Sequence, residues 1–472
     1  MSGPGLPPAQ QVVEDALTAA RPGSDHCVVV VEESSEVEVR LANNTTTTSG
    51  SRHDRRVAVI SIREVDGGMA AGVARRGGDV DVTDLVRVAE QDAAGSPPAD
   101  DALPLLGPGD IGLSPAPGDG FDQPPALTDL SVLSGVLSGL SGAFARARGG
   151  DYVLAGFAEH RRTTRYLGTS TGLRLGHAQP DGALQLVARG AGGATSTWTG
   201  AGTAEFADVS VEVMEERLRD RLTWSARRLD RPAGRYEVLL PPEAVSDLMI
   251  SLAYEASGRN AEDGRTVFSR PGGGTRVGDV LASVPFDLRS DPAEPGLECT
   301  PFVTATSSSA DMSVFDNGLP LTRTDWIAGG RLHRLRYHRA GAARSTVEPA
   351  GFVSNLTLDV PGATGSVEDL VSRTERGLLL TCLWYIREVD PVTLLLTGLT
   401  RDGVYVVEDG RVTGATNNFR FNESPVDLLA RVTEVGASGR ALGREYGEYL
   451  NRTRMPPLRI PDFNMSSVSR AS

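Results

Sequence analysis

The sequence predicts an α+β protein, in which an amino-terminal α+β domain precedes a β-rich carboxy-terminal domain. Three observations lead to this prediction. The composition of the 472 residues, 40% hydrophobic and 23% charged, is that of a globular protein of two or three domains. Helical and strand patterns are mixed in the first half, and turn signals recur at short intervals in the second. We place the domains at residues 1–230 and 231–472.

The first part of the amino-terminal domain combines helical and alternating patterns. An amphipathic pattern at 10–20 predicts a helix that ends before Pro22-Gly23. Apolar or alternating runs then predict strands, and a further amphipathic run predicts a second helix. The strands are expected at 27–31, 37–41, 57–62 and 69–74, and the helix at 81–94.

A stretch rich in Pro, Gly and Asp at 95–126 predicts a long loop. From Leu127 apolar residues recur at helical spacing, and this helix contains Gly135-x-x-x-Gly139. The glycine pair allows two interpretations: a close contact between two helices, or an amphipathic core helix that merely carries small residues.

Residues 152–207 read as strands, with turns at Gly172, Pro180-Asp-Gly and the Gly190 run. A charged amphipathic helix is predicted at 209–228 and a short strand at 236–240. The next helix begins at Pro241-Pro242 and is expected to end with Gly258 as its C-cap.

Beyond Gly258 short strands alternate with turn signals, which predicts an antiparallel sandwich or an open barrel. Two late helices are predicted at 426–435 and 441–449. The turn signals are Gly272-Gly-Gly, Asn317-Gly318, Gly329-Gly330, Asp402-Gly403 and Asp409-Gly410.

Charge and cysteine content indicate the compartment and exclude some partners. The formal net charge of −14 disfavours binding to nucleic acid or to an anionic membrane. The three cysteines, Cys27, Cys299 and Cys382, are widely spaced and odd in number, which suits reduced thiols better than a disulfide framework. Neither a secretory signal nor a run of 18 apolar residues is evident, so we expect a cytoplasmic protein that does not span a membrane.

The histidines do not form a metal-binding pattern. His333 and His338 are the closest pair, but residues five apart on a strand face opposite sides, so we interpret 331–339 as a solvated basic strand. His160 lies in a similar polar strand, and we interpret it in the same way. We therefore predict no metal site and no cofactor in this chain.

Two residues could act as nucleophiles. Gly168-Thr-Ser-Thr-Gly172 formally matches the Gly-x-Ser-x-Gly elbow, but polar strands flank it, so a hairpin turn is the favoured interpretation of Ser170. Cys382 lies in an apolar run and is interpreted as a small buried residue. We predict no catalytic residue.

The second half carries an ordered series of motifs that resembles a known family. From Phe315 the chain reads Phe-Asp-Asn-Gly-Leu-Pro-Leu-Thr-Arg-Thr-Asp-Trp-Ile, and later come Gly377-Leu-Leu-Leu-Thr and Glu408-Asp-Gly-Arg-Val. Asn418-Phe-Arg-Phe-Asn-Glu-Ser-Pro and a terminal Pro457-Leu-Arg-Ile-Pro-Asp-Phe-Asn complete the series. This succession resembles the TldD/PmbA (TldE) metallopeptidase family.

The resemblance also identifies what is missing. In TldD-type chains a His-Glu-x-x-x-His helix binds zinc, whereas the matching segment here places Pro242 and Asp247 at the two histidine positions and keeps only Glu243. Pro242-Glu-Ala-Val-Ser-Asp-Leu instead resembles the PmbA side of the family. We interpret Pro242, Glu243 and Asp247 as vestigial positions of the peptidase helix.

The resemblance implies a non-catalytic TldE/PmbA-like subunit that works with a zinc-binding, TldD-like catalytic subunit on unstructured peptides. Two alternatives stay open at this point. One is a stand-alone, homodimeric peptide-binding protein, and the other is a hydrolase of a different mechanism that uses Ser170.

Overall fold

A computed structural model describes residues 6–21, 23–111, 120–193 and 195–469. It confirms the α+β class, with three open sheets and helices packed on and between them. The helices are α1 (Ala9–Ala20), α2 (Val82–Gly95), α3 (Ser134–Gly149), α4 (Val211–Ser225), α5 (Pro242–Tyr254), α6 (Gly258–Glu262), α7 (Arg339–Ser345), α8 (Val367–Ser372) and α9 (Pro425–Arg431).

The strands divide into an amino-terminal set and a carboxy-terminal set. The first set is β1 (His26–Ala42), β2 (Thr45–Val65), β3 (Gly68–Gly77), β4 (Val153–Thr169), β5 (Arg174–Arg189) and β6 (Ser196–Thr203). The second set is β7 (Gly234–Leu240), β8 (Asp287–Ser290), β9 (Thr324–Ala328), β10 (Arg331–Leu332), β11 (Leu356–Asp359), β12 (Arg376–Leu380), β13 (Leu383–Asp390), β14 (Leu395–Thr400), β15 (Val404–Glu408), β16 (Arg411–Ala415), β17 (Phe419–Glu423), β18 (Glu434–Val435), β19 (Gly439–Ala441), β20 (Thr453–Met455) and β21 (Leu458–Val468).

The first sheet has the order β3-β2-β1-β4-β5-β6 and is antiparallel throughout. Because side chains alternate along a strand, Val29, Val31, Val37 and Val39 of β1 share one face, and helices α1 to α4 pack there. On the other face Val28 and its neighbours contact side chains of the carboxy-terminal half. The first sheet is therefore covered by its own helices on one side and by the rest of the chain on the other.

The carboxy-terminal half contains two further sheets. One has the order β10-β9-β8-β11-β20-β19, and the other follows the path β13-β14-β17-β21-β7-β12-β15-β16, with β18 paired to β21. Most pairings are antiparallel, as predicted, but β11 pairs with β20 and β7 with β12 in parallel. The largest apolar core includes side chains of both sheets and of α5.

Helix α5 is buried on all sides. Each residue from Ala244 to Leu252 is buried, which is typical of a helix inside a core rather than on a surface. Its apolar side chains belong to the largest core, and it contacts β7, β19, β20 and α9. This is the helix that the family resemblance matches to the zinc-binding helix.

Several predicted turns are confirmed. Gly329 and Gly330 join β9 to β10, and Asp409-Gly410 joins β15 to β16, with positive φ at both positions of each pair, as a two-residue hairpin requires. The Asn317-Gly318 turn instead brings 318–321 back against 301–305 as a wide loop. The 95–126 loop contains neither helix nor strand beyond Gly95 in its described part, and its residues 112–119 lie outside that part.

The predicted turn at Pro180-Asp-Gly is wrong, because these residues lie inside β5. Pro180 pairs with Arg162 of β4, whereas the pairing of β5 with β6 begins only at Gly182. The β6 side of Pro180 is therefore a free edge, where the missing N–H of proline breaks no ladder.

Helix ends also differ from the predictions. The helix expected from Leu127 begins as a 3-10 turn at Leu130–Leu133, because the carboxylate of Asp129 accepts the N–H of Ser131 at 2.8 Å and caps the helix there. Gly258 does not cap α5. It opens α6, where a Cβ would lie 2.0 Å from the ring of Tyr337. The helix predicted at 426–435 ends at Arg431, and Glu434–Val435 joins a sheet.

The stretch Leu130–Gly149 is long and apolar enough to cross a membrane by length and composition, and a core helix can meet the same two criteria. Here Val136, Leu140 and Phe144 pack on the first sheet. Of the two glycines, Gly139 makes the close helix contact, since a Cβ there would lie 2.8 Å from Cβ of Val211 in α4, whereas Gly135 faces open space.

Candidate functional site

The site begins at the position where the resemblance places a metal helix. Asp247 is fully buried, and its carboxylate faces the segment 442–450 rather than solvent. Oδ2 accepts the N–H of Arg444 at 2.9 Å, and Oδ1 accepts those of Glu445 and Tyr446 at 3.1 and 3.0 Å. We call this arrangement, Asp247 with the backbone of 444–446, the aspartate clamp.

The aspartate clamp explains why the helix predicted at 441–449 is wrong. In a helix the N–H groups of 444–446 would bond to carbonyls four residues earlier, but here a side chain 197–199 residues away accepts them. Gly443 permits the approach, since a Cβ on it would lie 2.3 Å from Oδ1 of Asp247. A tertiary contact therefore overrides the local helical pattern.

Burial dominates the electrostatics of the aspartate clamp. Burial raises the pKa of Asp247 from 3.8 to about 7. The three backbone N–H groups favour the charged form and lower the pKa, but their effect is smaller than that of burial. The carboxyl group of Asp247 therefore gains and loses its proton near neutral pH.

The other two positions that the resemblance matches to the peptidase helix also lack the geometry for a metal. Glu243 forms an ion pair with Arg217 of α4, with 3.3 Å between Oε1 and Nη1, and Pro242 occupies the first turn of α5 and offers no ligand atom. Across the described residues no three His, Cys, Asp or Glu side chains are grouped as metal ligands. The residues present here do not fit a zinc ion.

A cleft of about 930 Å³ lies between the first sheet and the carboxy-terminal half. Val30 and Glu32, inside β1, and neighbouring residues of β2, β3 and β4 supply one wall. Loops of the carboxy-terminal half supply the other wall, which includes apolar side chains such as Phe302, Met312 and Phe352. Its charged lining consists of Glu32, Asp54, Arg56, Arg75, Arg76, Arg165, Asp311, Asp316 and Arg336.

Arg336 connects this cleft to the end of α5. Its guanidinium donates to the carbonyls of Ala253 and Tyr254, and Nε donates to Oδ2 of Asp311 at 2.6 Å. A cation at the carboxyl end of a helix stabilises the free carbonyls there. Tyr254 in turn stacks on Phe352, with 6.3 Å between ring centroids, so aromatic rings form this part of the wall.

The Phe315-Asp-Asn-Gly318 motif lies at the same cleft and fixes the surrounding backbone through its side chains. The side chain of Asn317 bonds to the N–H and carbonyl of Ala305 at 2.7 and 2.8 Å, and Asp316 accepts two N–H groups of Arg339. Gly318 has a φ of +87°, and a Cβ there would lie 2.6 Å from Cδ1 of Leu173, in the amino-terminal half of the chain. The motif therefore joins the two halves.

Two histidine predictions are corrected here. His338 is not on a solvated strand. It is buried, it caps α7 by accepting the N–H of Gly341 at 3.2 Å, and burial lowers its pKa. His160 lies on β4 as expected but is fully buried, where its ring bonds to Thr128 and to the carbonyl of Ala204 at 2.6 and 2.8 Å.

The nucleophile interpretations agree with the structure. Ser170 lies in the hairpin turn between β4 and β5, where Oγ accepts the N–H of Cys27 at 3.0 Å, so that hydroxyl has a structural partner. All three cysteines are buried and free, and burial raises the pKa of Cys382 well above its usual value.

The carboxy-terminal half matches a known domain. The sequence profile of the PmbA/TldA metallopeptidase C-terminal domain matches residues 233–467. The chain belongs to the PmbA/TldD family. A search of curated proteins gives no match.

Solved structures show the PmbA/TldD fold over nearly the whole chain. TldE from Thermococcus kodakarensis aligns with a TM-score of 0.77 and 18% identity, covering 96% of this chain and 99% of that one. A candidate modulator of DNA gyrase from Thermotoga maritima aligns at 0.75 and 17%, with coverage of 96% and 99%. Another from Bacteroides thetaiotaomicron aligns at 0.73 and 14%, with coverage of 97% and 99%. At these identities the likeness establishes the fold alone.

Sequence reasoning located α5 but missed the residues that surround it. Arg336, Tyr254 and the segment 442–450 carried no recognisable motif, because their partners lie far away in the chain. The signal that could have pointed to the aspartate clamp is the pair Gly443 and Gly447 inside an otherwise helical pattern.

Proposed function

We propose that this chain is a non-catalytic TldE/PmbA-like subunit of a heteromeric TldD/TldE metallopeptidase that cleaves unstructured peptides, in proteolysis or in the maturation of peptide precursors. A TldD-like partner would supply the zinc and the chemistry. The assembly would work in the cytoplasm, without nucleic acid or membrane.

The proposal rests on one observation. The two carboxylates at the positions matched to the peptidase helix already form hydrogen bonds or an ion pair within the protein. The oxygens of Asp247 accept three backbone N–H groups, and Glu243 is held by Arg217. A metal ligand needs free lone pairs, and a general base needs access to a substrate proton. Asp247 is fully buried with three of its roughly four acceptor positions occupied, and within the described residues no group of metal ligands surrounds Glu243, so we assign the chemistry to the partner.

The 930 Å³ cleft suits a role in holding peptides. Its lining combines apolar and aromatic side chains with charges of both signs, and such surfaces bind extended chains by side-chain contacts and hydrogen bonds. In this proposal the chain shapes access to the partner's catalytic site.

Co-expression with a TldD-type chain that carries an intact His-Glu-x-x-x-His helix tests the proposal. We expect the two chains to co-purify, and the pair to hydrolyse an unstructured peptide in a chelator-sensitive manner, whereas this chain alone does not. Glu243→Gln should leave the activity of the pair within about twofold, because only a partly exposed ion pair is lost. Chelator-sensitive hydrolysis by this chain alone would overturn the proposal.

A second candidate is a homodimeric peptide-binding protein, and the free edge of β2 favours it. Within the described ranges, residues 45–55 pair with β1 on one side only, since β3 begins its pairing at Arg56. An exposed edge can accept an added strand. A homodimer that persists when the TldD-type chain is co-expressed would support this candidate over the first.

A further inference from the structure

A second, smaller cleft of about 360 Å³ lies beside the aspartate clamp. Residues of the first sheet, of β13 and of the segment 444–449 line it together. Tyr449, whose side chain is 74% exposed, lines both this cleft and the larger one. A chain lying in the larger cleft could therefore continue into the smaller one.

Arg444 lies at the centre of the smaller cleft between two tryptophans. Its Cζ is 4.1 Å from the ring centroid of Trp384 and 5.2 Å from that of Trp198. Nη1 donates to Oε1 of Gln185 at 2.8 Å, and within the described chain no carboxylate forms an ion pair with this guanidinium. The stacking holds the guanidinium plane in place and leaves its charge available.

Two buried N–H donors on residues that line this cleft have no acceptor within the part of the chain that the structure describes. They are Nε of Arg444 and Nε1 of Trp384. Buried donors are nearly always paired in native proteins, and an unpaired one is unfavourable. Two unpaired donors beside an available positive charge fit an anionic acceptor, and a carboxylate matches the guanidinium geometry.

Tyr385 supplies an independent indication. Its φ of +50° lies in the left-handed region, which is strained for an aromatic residue, and it sits at a β-bulge between β13 and β14. Glu445 holds this conformation by accepting the N–H of Tyr385 and Nη1 of Arg387, each at 2.9 Å. Tyr385 as a whole residue is 51% exposed and lines the cleft. Bulges that re-aim a side chain are common at functional sites.

We propose that the smaller cleft binds a peptide carboxylate, with Arg444 and Trp384 as donors and Tyr385 packed on the neighbouring apolar side chain. This inference deepens the proposed function and depends on it only in taking a peptide as the ligand. The carboxylate could come from the peptide's carboxy terminus or from an Asp or Glu side chain.

Titration of the full chain, alone, with three peptides distinguishes these sources. The first is an N-acetylated Ala/Phe hexapeptide with a free carboxy terminus, the second is its amide, and the third is the amide with one internal Glu. We expect the free acid to bind at least about tenfold more tightly than the plain amide, as measured by calorimetry and tryptophan fluorescence. If the Glu-containing amide binds as well as the free acid, the cleft takes side-chain carboxylates too.

Equal binding of the free acid and the plain amide, or no binding of any of the three peptides, would overturn the proposal. Because no partner is present, either result leaves the co-expression experiment unaffected, so the two failures can be told apart.

Variants locate the site. Arg444→Gln should remove the preference for the free acid, whereas Arg411→Gln, which changes an exposed arginine of β16, should keep it. Tyr385→Gly relieves the positive φ and should fold at least as stably while it weakens binding several-fold. If Arg444→Gln fails to fold, unchanged binding by Tyr385→Gly would still refute the proposal.

Discussion

Asp247→Asn is the substitution that tests the aspartate clamp most directly. The variant keeps the size of the side chain and one carbonyl oxygen, which can still accept the N–H groups of Glu445 and Tyr446. Its amide nitrogen then faces the N–H of Arg444, where Oδ2 accepts at 2.9 Å in the native protein. One buried hydrogen bond is lost, which costs about 1–3 kcal/mol of unfolding free energy.

The difference in unfolding free energy between the native chain and the variant should depend on pH. This dependence tests the pKa of Asp247 more directly than the size of the difference does. Burial raises the pKa of Asp247 from 3.8 to about 7, so between these values the folded chain holds a proton that the unfolded chain releases. The native free energy of unfolding therefore falls as pH rises from about 4 to about 7, by roughly 1.4 kcal/mol per pH unit and roughly 4 kcal/mol in total. Below about pH 4 both states are protonated, and the penalty is absent. The side-chain amide of the Asp247→Asn variant cannot titrate.

Urea unfolding of both proteins between pH 4 and pH 8, followed by tryptophan fluorescence, measures the effect. The native chain should be more stable than the variant at low pH and less stable at neutral pH, because the fall of roughly 4 kcal/mol exceeds the hydrogen-bond advantage of about 1–3 kcal/mol. Other titrating groups largely cancel in the difference between the two proteins. Hydrogen exchange of the Arg444 amide, which loses its acceptor, should be faster in the variant. Parallel stability curves across this range would refute the assignment of a raised pKa to Asp247.

Three further predictions concern the packing. Gly139→Ala should lower the free energy of unfolding by about 1–3 kcal/mol, because the added Cβ would collide with Val211. Gly135→Ala should raise it by a few tenths to about 1 kcal/mol, because that position faces open space. The urea unfolding midpoints of the two variants check both values. Ser170→Ala should cost about 1 kcal/mol through its lost bond to Cys27, measured in the same way, and leave the peptidase activity of an assembled pair unchanged. The three cysteines should resist a thiol reagent in the native chain and all react after unfolding, since they are buried and burial raises the pKa of Cys27 to about 12.

The fold was predictable wherever local patterns decide the structure. The alternation along β1 and the double positive φ at Asp409-Gly410 follow from rules that act within a few residues. The predictions failed where a residue far away in the sequence determines the local structure. The pattern at 441–449 is helical by itself, but the carboxylate of Asp247 accepts the N–H groups that a helix would use.

The candidate sites were less predictable than the fold for the same reason. Arg444 stacks between Trp384 and Trp198, which lie in different sheets and are brought together only by the packing of the two halves. No spacing rule links three such positions. Helix α5 could be located because its neighbours in sequence carry the family motif, whereas the contacts of Asp247 became visible only in the folded chain.

The burial of α5 gives this helix a structural role that does not depend on metal ligands. A catalytic helix has to present one face to the substrate, but the face that carries Asp247 is covered by the segment 442–450, and Ser246 beside it bonds to Thr453 at 2.9 Å. The position that the resemblance matches to a second metal ligand is thus an attachment point for the segment that covers it. Because that chain also carries Arg444 and Tyr449, the aspartate clamp positions side chains that line both clefts. In this chain α5 therefore supports the walls of both clefts from inside the core, and a change at Asp247 should alter both of them.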